Sequence, residues 1–91
     1  MMASEQNTLE SWIGQEVVLD TAGPLVYLGR LVAVESTGFV LENADVHYVN
    51  EGHATREQYI VESRQDGIRV NRNRVFILRT IVASASLLAD V

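Results

Sequence analysis

VVLDTAGPLVYLGRLVAVESTGFVLENA, residues Val17 to Ala44, decides the fold. Three runs dense in β-branched and aliphatic residues are separated by two turn signals, Ala22-Gly23-Pro24 and Ser36-Thr37-Gly38. Short apolar runs bounded by Gly, Pro and Ser read as consecutive antiparallel strands. The predicted strands are Glu16 to Asp20, Leu25 to Glu35 and Phe39 to Val49. Gly29 interrupts the second, where a glycine marks a sharp bend or bulge. In the third, Phe39 and Leu41 share one phase of the alternation while Ala44, Val46 and Tyr48 share the other. Such a slip predicts a bulge near Glu42-Asn43.

Working outward, residues 1 to 6 read as frayed. Asn7 with Glu10 has capping-box spacing, and Leu9, Trp12 and Ile13 fall on one helical face that Gly14 ends. Beyond the meander, Asn50 to Arg56 is a polar loop, and Glu57 to Ser63 is predicted as a fourth strand on the alternation of Tyr59 and Val61. Asp66-Gly67 is then either a bulge in that strand or a hairpin turn. Asn71 to Arg74 reads as the next turn, and Val75 to Val82 as a final strand buried on both faces. The small residues from Ala83 to Val91 form a tail that docks on a neighbour or makes a helical turn. The expected organisation is a flexible N-terminus (1–7), one domain (8–82) and a C-terminal tail (83–91). The class is mainly β, a short N-terminal helix followed by a strongly bent five-stranded antiparallel small barrel.

Ninety-one residues allow one domain with a modest core, since a chain of this size buries roughly 60 to 65% of its unfolded surface. Help from self-association fits that size. The absence of cysteine excludes disulfides, thiolate metal sites and cysteine nucleophiles. With neither a signal-peptide pattern nor an apolar run long enough to span a bilayer, the expected location is the cytoplasm, away from membranes.

The net charge of −5 argues against broad, non-specific nucleic-acid binding, and DNA is not expected. Its distribution is uneven. Residues 1 to 55 carry eight acids against Arg30, whereas residues 56 to 91 carry six arginines against four acids. There is no lysine, so every fixed cation is a guanidinium fork suited to phosphate and carboxylate.

These residues resemble the Sm-like (LSm) family. Its first motif has counterparts in Gly23, Gly29-Arg30-Leu31, Glu35 and Leu41. Its second, Ile-Arg-Gly-Asn/Asp-x-Val-x-x-Ile, is similar to Val70-Asn71-Arg72-Asn73-Arg74-Val75-Phe76-Ile77-Leu78. The likeness covers roughly residues 8 to 80, and an SH3-like or OB-like barrel is the alternative. The resemblance implies an Sm-like (SH3-like) barrel whose edge strands pair between copies into a homo-oligomeric ring, with single-stranded RNA held at turns facing the pore. Glu35-Ser36-Thr37-Gly38-Phe39 stands where RNA-binding members carry Asp-x-x-Met-Asn. The base-reading Asn is missing, and Asn71 stands in place of the motif arginine.

The candidate RNA-binding residues are therefore Thr37, Gly38, Asn71, Arg72, Asn73 and Arg74. Beside that reading stands a plainer one, in which asparagines form the turn and arginines pair with acids across a subunit interface. His47 and His53, with Asp45 and Glu51 nearby, lack a clear third ligand, so no metal or other cofactor is expected. No nucleophile motif or phosphate loop occurs, and the expectation is a non-enzyme. The alternative function is an Sm-like structural or protein-interaction module that has lost RNA binding.

Overall fold

The computed structural model describes residues 2–50 and 55–91, with side chains from residue 7 onward. The predicted meander forms as β1 (Glu16–Thr21), β2 (Leu25–Val34) and β3 (Gly38–Tyr48), each antiparallel to the next. A helix, α1 (Met2–Ser11), precedes them; a second, α2 (Arg56–Asp66), and two further strands, β4 (Arg72–Leu78) and β5 (Val82–Leu87), follow. Short 3₁₀ turns at Arg79–Ile81 and Leu88–Asp90 complete the chain. The five strands make one antiparallel sheet in the order β4-β3-β2-β1-β5, so β4 and β5 are its two edges.

Alternation along β1 sends Val17 and Leu19 to one face and Val18 to the other, and all three are buried because both faces are covered. On the first face Tyr27, Leu31, Phe39, Leu41 and Ile77 join Val17 and Leu19, with Leu9 and Trp12 of the N-terminal segment packed against them. Across the sheet, Val18, Val26 and Leu28 are roofed by Tyr59 and Ile60 of α2 and by Leu88. Burying side chains of this size contributes about 1.5–3 kcal/mol each.

The expected slip in the third strand is present. Leu28 pairs with Asp45 and Arg30 with Glu42, so Asn43 and Ala44 stand opposite Gly29 alone. Asn43 takes the left-handed conformation, φ 50°, that asparagine tolerates. The strands approach so closely that a Cβ on Gly29 would lie 3.0 Å from that of Ala44. The extra residue sends Ala44 and Val46 into the core under α1 and leaves Asp45 and His47 on the face that α2 covers.

Five expectations change. Helix α1 begins at Met2, so Asn7 lies within it and is not its cap; Trp12 is the anchor expected, whereas Ile13 is 44% exposed. The segment read as a fourth strand is α2. Its cause is local: the Thr55 hydroxyl accepts from the Gln58 N–H at 3.1 Å and the Gln58 side chain accepts from the Thr55 N–H at 2.9 Å, a complete capping box. Tyr59, Ile60 and Ser63 then share a buried helical face. Asp66-Gly67 is neither bulge nor hairpin but the end of α2, with Gly67 at φ 92° donating to the Ser63 carbonyl. Asn71 to Arg74 is not a turn, because Arg72, Asn73 and Arg74 lie within β4. Lastly, the single strand expected over 75–82 is divided by Arg79–Ile81, and much of the expected tail is β5, paired with β1 from Val17↔Leu87 to Thr21↔Val82. Far from being buried on both faces, β4 hides Ile77 and leaves Phe76 and Leu78 about half exposed. Glu51 and His53 lie outside the described residues.

Candidate nucleic-acid interface

The turn between β2 and β3 is held by Arg79, a residue outside the predicted set. Glu35 and Gly38 close the turn through N–H···O bonds of 2.8 and 3.3 Å. The Arg79 backbone N–H donates to the Thr37 carbonyl at 2.9 Å. Its guanidinium donates from Nη2 to the Glu35 carbonyl at 2.8 Å and from Nε to the Ser36 carbonyl at 3.2 Å. The same group lies 4.9 Å from the centre of the Phe39 ring, a cation–π contact that fixes its plane. Three successive carbonyls of one turn are thus satisfied by one arginine from the turn between β4 and β5. The exposed side chains of Ser36, Thr37 and Thr80 remain available to solvent or ligand.

Gly38 is required by this closure. A Cβ there would collide with the Ile77 carbonyl oxygen and lie 2.7 Å from the tip of Phe76. Thr37 and Gly38 therefore stand where β3 and β4 are pressed together.

The remaining predicted residues stand elsewhere. Gly38 pairs with Leu78, Glu42 with Arg74 and Ala44 with Arg72, which places Arg74 about 13 Å and Arg72 about 20 Å along the sheet from the turn. Asn71 works as a backbone substitute beside β3: its Oδ1 accepts from the Val46 N–H at 3.0 Å, and its Nδ2 donates to the Val46 carbonyl at 3.1 Å and to Asp45 at 2.9 Å. Arg72 donates to the Asn71 carbonyl, and Arg74 reaches Glu42 at 3.4 Å, where Arg30 also binds at 2.7 Å. Asn73 is exposed on the β4 edge. The turn joining the last two strands is Arg79-Thr80-Ile81, so the arginine standing in that turn is Arg79, displaced from the motif place given to Val70–Leu78. The sequence signal was available: an arginine between two apolar runs, in Leu78-Arg79-Thr80-Ile81-Val82, divides them as a turn does.

Beyond β3, the Tyr59 hydroxyl donates to the buried Asp45 carboxylate, and the His47 and Tyr59 rings stack at 3.6 Å with planes 6° apart. Burial, followed by the hydrogen bond to Asp45, holds the Tyr59 hydroxyl well above its ordinary pKa, so it remains a donor. Arginines fasten both ends of α2. Arg56 reaches Asp20 at 3.0 Å and the Gly23 carbonyl at 2.8 Å, and Arg64 donates to the Val91 carbonyl. Among the described residues no group of three or more His, Cys, Asp or Glu side chains is placed to hold a metal ion. No helix among them is long and apolar enough to cross a membrane.

In comparisons with known proteins, no family model and no curated protein matched the sequence. Among solved structures, an Sm protein of Pyrococcus abyssii, in complex with a uridine heptamer, superposes with a TM-score of 0.63. The match covers 90% of this chain and 94% of that one, at 14% identity. The chain has an Sm-like fold. That likeness belongs to the architecture; at this identity the residues of the site are this chain's own. In the Sm-like fold seen here, α2 occupies the connection between β3 and β4.

Proposed function

We propose that this chain is a cytoplasmic, non-enzymatic Sm-like module that assembles into a homo-oligomeric ring and binds single-stranded RNA at the turn containing Thr37 and Gly38. The observation that carries the reading is Arg79, which joins that turn to the turn between β4 and β5 and so builds one compact, hydroxyl-bearing surface. An Sm-like neighbour bound to a uridine heptamer supports RNA as the ligand class. Two sheet edges, β4 and β5, support assembly: an unpaired edge invites another strand, and a head-to-tail contact whose rotation closes makes a ring. In this reading Arg72, Asn73 and Arg74 contact the RNA backbone from the β4 edge, and Asn71 serves by holding the start of β4 against β3.

A second reading, a ring that has kept its fold and lost RNA, is favoured by one detail. Two guanidinium nitrogens of Arg79 are already committed to backbone carbonyls. Labelled oligouridine and oligoadenosine titrated at two salt concentrations, with the assembled mass measured on the same sample, separate the two. RNA binding predicts a salt-dependent affinity confined to the assembled form and weakened about tenfold by Arg79→Ala. A stable ring that retains neither oligomer would falsify RNA recognition and leave the interaction module.

A further inference from the structure

Between α2, β3 and the segment leading into β4 lies a cavity of about 490 Å³, well separated from the Arg79 turn. Its volume is that of a small-molecule site. Asp45, His47, Tyr59, Glu62, Asp66 and Arg69 line it. Three features of the wall bear on what would fit. First, the stacked His47 and Tyr59 rings are parallel, Tyr59 is buried, and His47 is only half-buried. Both rings line the cavity, so a further flat ring entering it would meet an aromatic wall of the kind on which unstacked bases stack. Second, Glu62 and Asp66 stand four residues apart on α2, hence on the same face, and both are exposed carboxylates at the cavity wall. Third, Arg69 makes no hydrogen bond or ion pair among the described residues, although it lines the same space. Asp45 differs from the other acids: Tyr59 and Asn71 already satisfy it, and it serves to fix the stack.

From this arrangement we propose that the cavity is a guanine-binding pocket, with the base stacked on His47, its N1–H and N2–H₂ edge donated to a carboxylate of Glu62 or Asp66, and its O6 or phosphate turned to Arg69. The carboxylates decide the base. Guanine offers two adjacent donors to one carboxylate, whereas adenine and cytosine present a ring-nitrogen acceptor beside their amine, and uracil flanks its single N–H with two carbonyl oxygens. Each of those acceptors would face a negative oxygen. The same chemistry serves a free guanine nucleotide and a guanosine within an RNA strand. The proposal stands whether or not the turn at Thr37 binds RNA.

The test uses the full chain with labelled aromatic side chains, followed by NMR during titration with guanosine, adenosine and uridine monophosphates. Guanosine monophosphate is expected to shift the ring signals of His47 and Tyr59 and to bind about tenfold tighter than the other two, in line with one bidentate contact. Asp66→Asn combined with Glu62→Gln, both at exposed positions that leave the fold intact, should abolish that preference. Arg79→Ala should leave it untouched. A uridine heptamer and the same strand with one central guanosine then identify the source: a tighter guanosine-containing strand assigns the site to RNA, and no gain over the mononucleotide assigns it to the free nucleotide. Absent shifts at His47 and Tyr59, equal affinity for all three nucleotides, an unchanged preference in the carboxylate variant, or shifts produced by agmatine in place of guanosine monophosphate would each overturn the proposal.

Discussion

The turn at residues 35–38 and the roof formed by α2 are both fastened by polar groups, but by opposite means. At the turn, one side chain binds main-chain carbonyls: Arg79 holds Glu35, Ser36 and Thr37 and leaves the turn's own side chains free. Under α2, side chains bind one another, with Tyr59 and Asn71 both donating to Asp45 and His47 stacked against Tyr59. Residue identity within the turn is therefore loosely constrained except at Gly38, whereas the roof depends on the shape and polarity of nearly every member. A surface that can vary its side chains while keeping its backbone suits recognition; a mutually satisfied cluster suits the rigid wall of a cavity.

Substitutions can break or sharpen this contrast. The largest expected effect is at Tyr59→Ala, which empties the centre of the roof and leaves buried Asp45 with one donor fewer. A loss of about 3–5 kcal/mol in denaturant unfolding is expected, and a loss below 1 kcal/mol would show that α2 packs independently of this cluster. Gly38→Ala comes next, at about 2 kcal/mol, because the added methyl meets the Ile77 carbonyl and Phe76. An unchanged melting temperature there would mean that the β3–β4 contact yields easily.

Tyr59→Phe keeps the ring and removes the hydroxyl, at an expected cost of about 1–3 kcal/mol near neutral pH. It also carries a pH signature. Because the folded state raises the Tyr59 pKa above its unfolded value of 10.0, the associated stability is complete below pH 10 and is lost as pH rises beyond it. Wild-type protein should thus lose stability above pH 10 more steeply than Tyr59→Phe, and parallel curves for the two would remove the hydroxyl from the account. Smallest is Thr55→Ala, which deletes half of the capping box for about 1 kcal/mol, read as a lower melting temperature with an intact sheet.

The contrast also explains what could be read from the residues alone. The meander from Glu16 to Tyr48 was legible, with its bend at Gly29 and slip at Asn43, because strand alternation and turn chemistry are local. The identity of α2 was obscured because Tyr59 and Val61 satisfy a two-residue alternation as readily as Tyr59, Ile60 and Ser63 satisfy a helical face. Only the Thr55-x-x-Gln58 cap distinguishes them, and it lies in a stretch that reads as loop. Thr37 and Gly38 could be singled out because a tight turn announces itself in composition. Arg79 could be placed in a turn, between two apolar runs, but its partners could not be named, since they are carbonyls of residues more than forty positions away, which leave no mark on the residue types. The separation of Asn71 to Arg74 from Thr37 along the sheet could not be read either, because strand register decides which ends meet.

The pairing of β1 with β5 carries a kinetic consequence. The β1–β2 and β2–β3 hairpins join neighbours across short turns and can form early, but Val17 meets Leu87 only after nearly the whole chain has been brought round. Closing so large a loop costs entropy before any contact compensates it. Until β5 arrives, β1 is itself an open edge, and β3 remains one until β4 is laid down after α2. The slow step in refolding should therefore be docking of β5, and a protein paused before it would expose β1 to its neighbours.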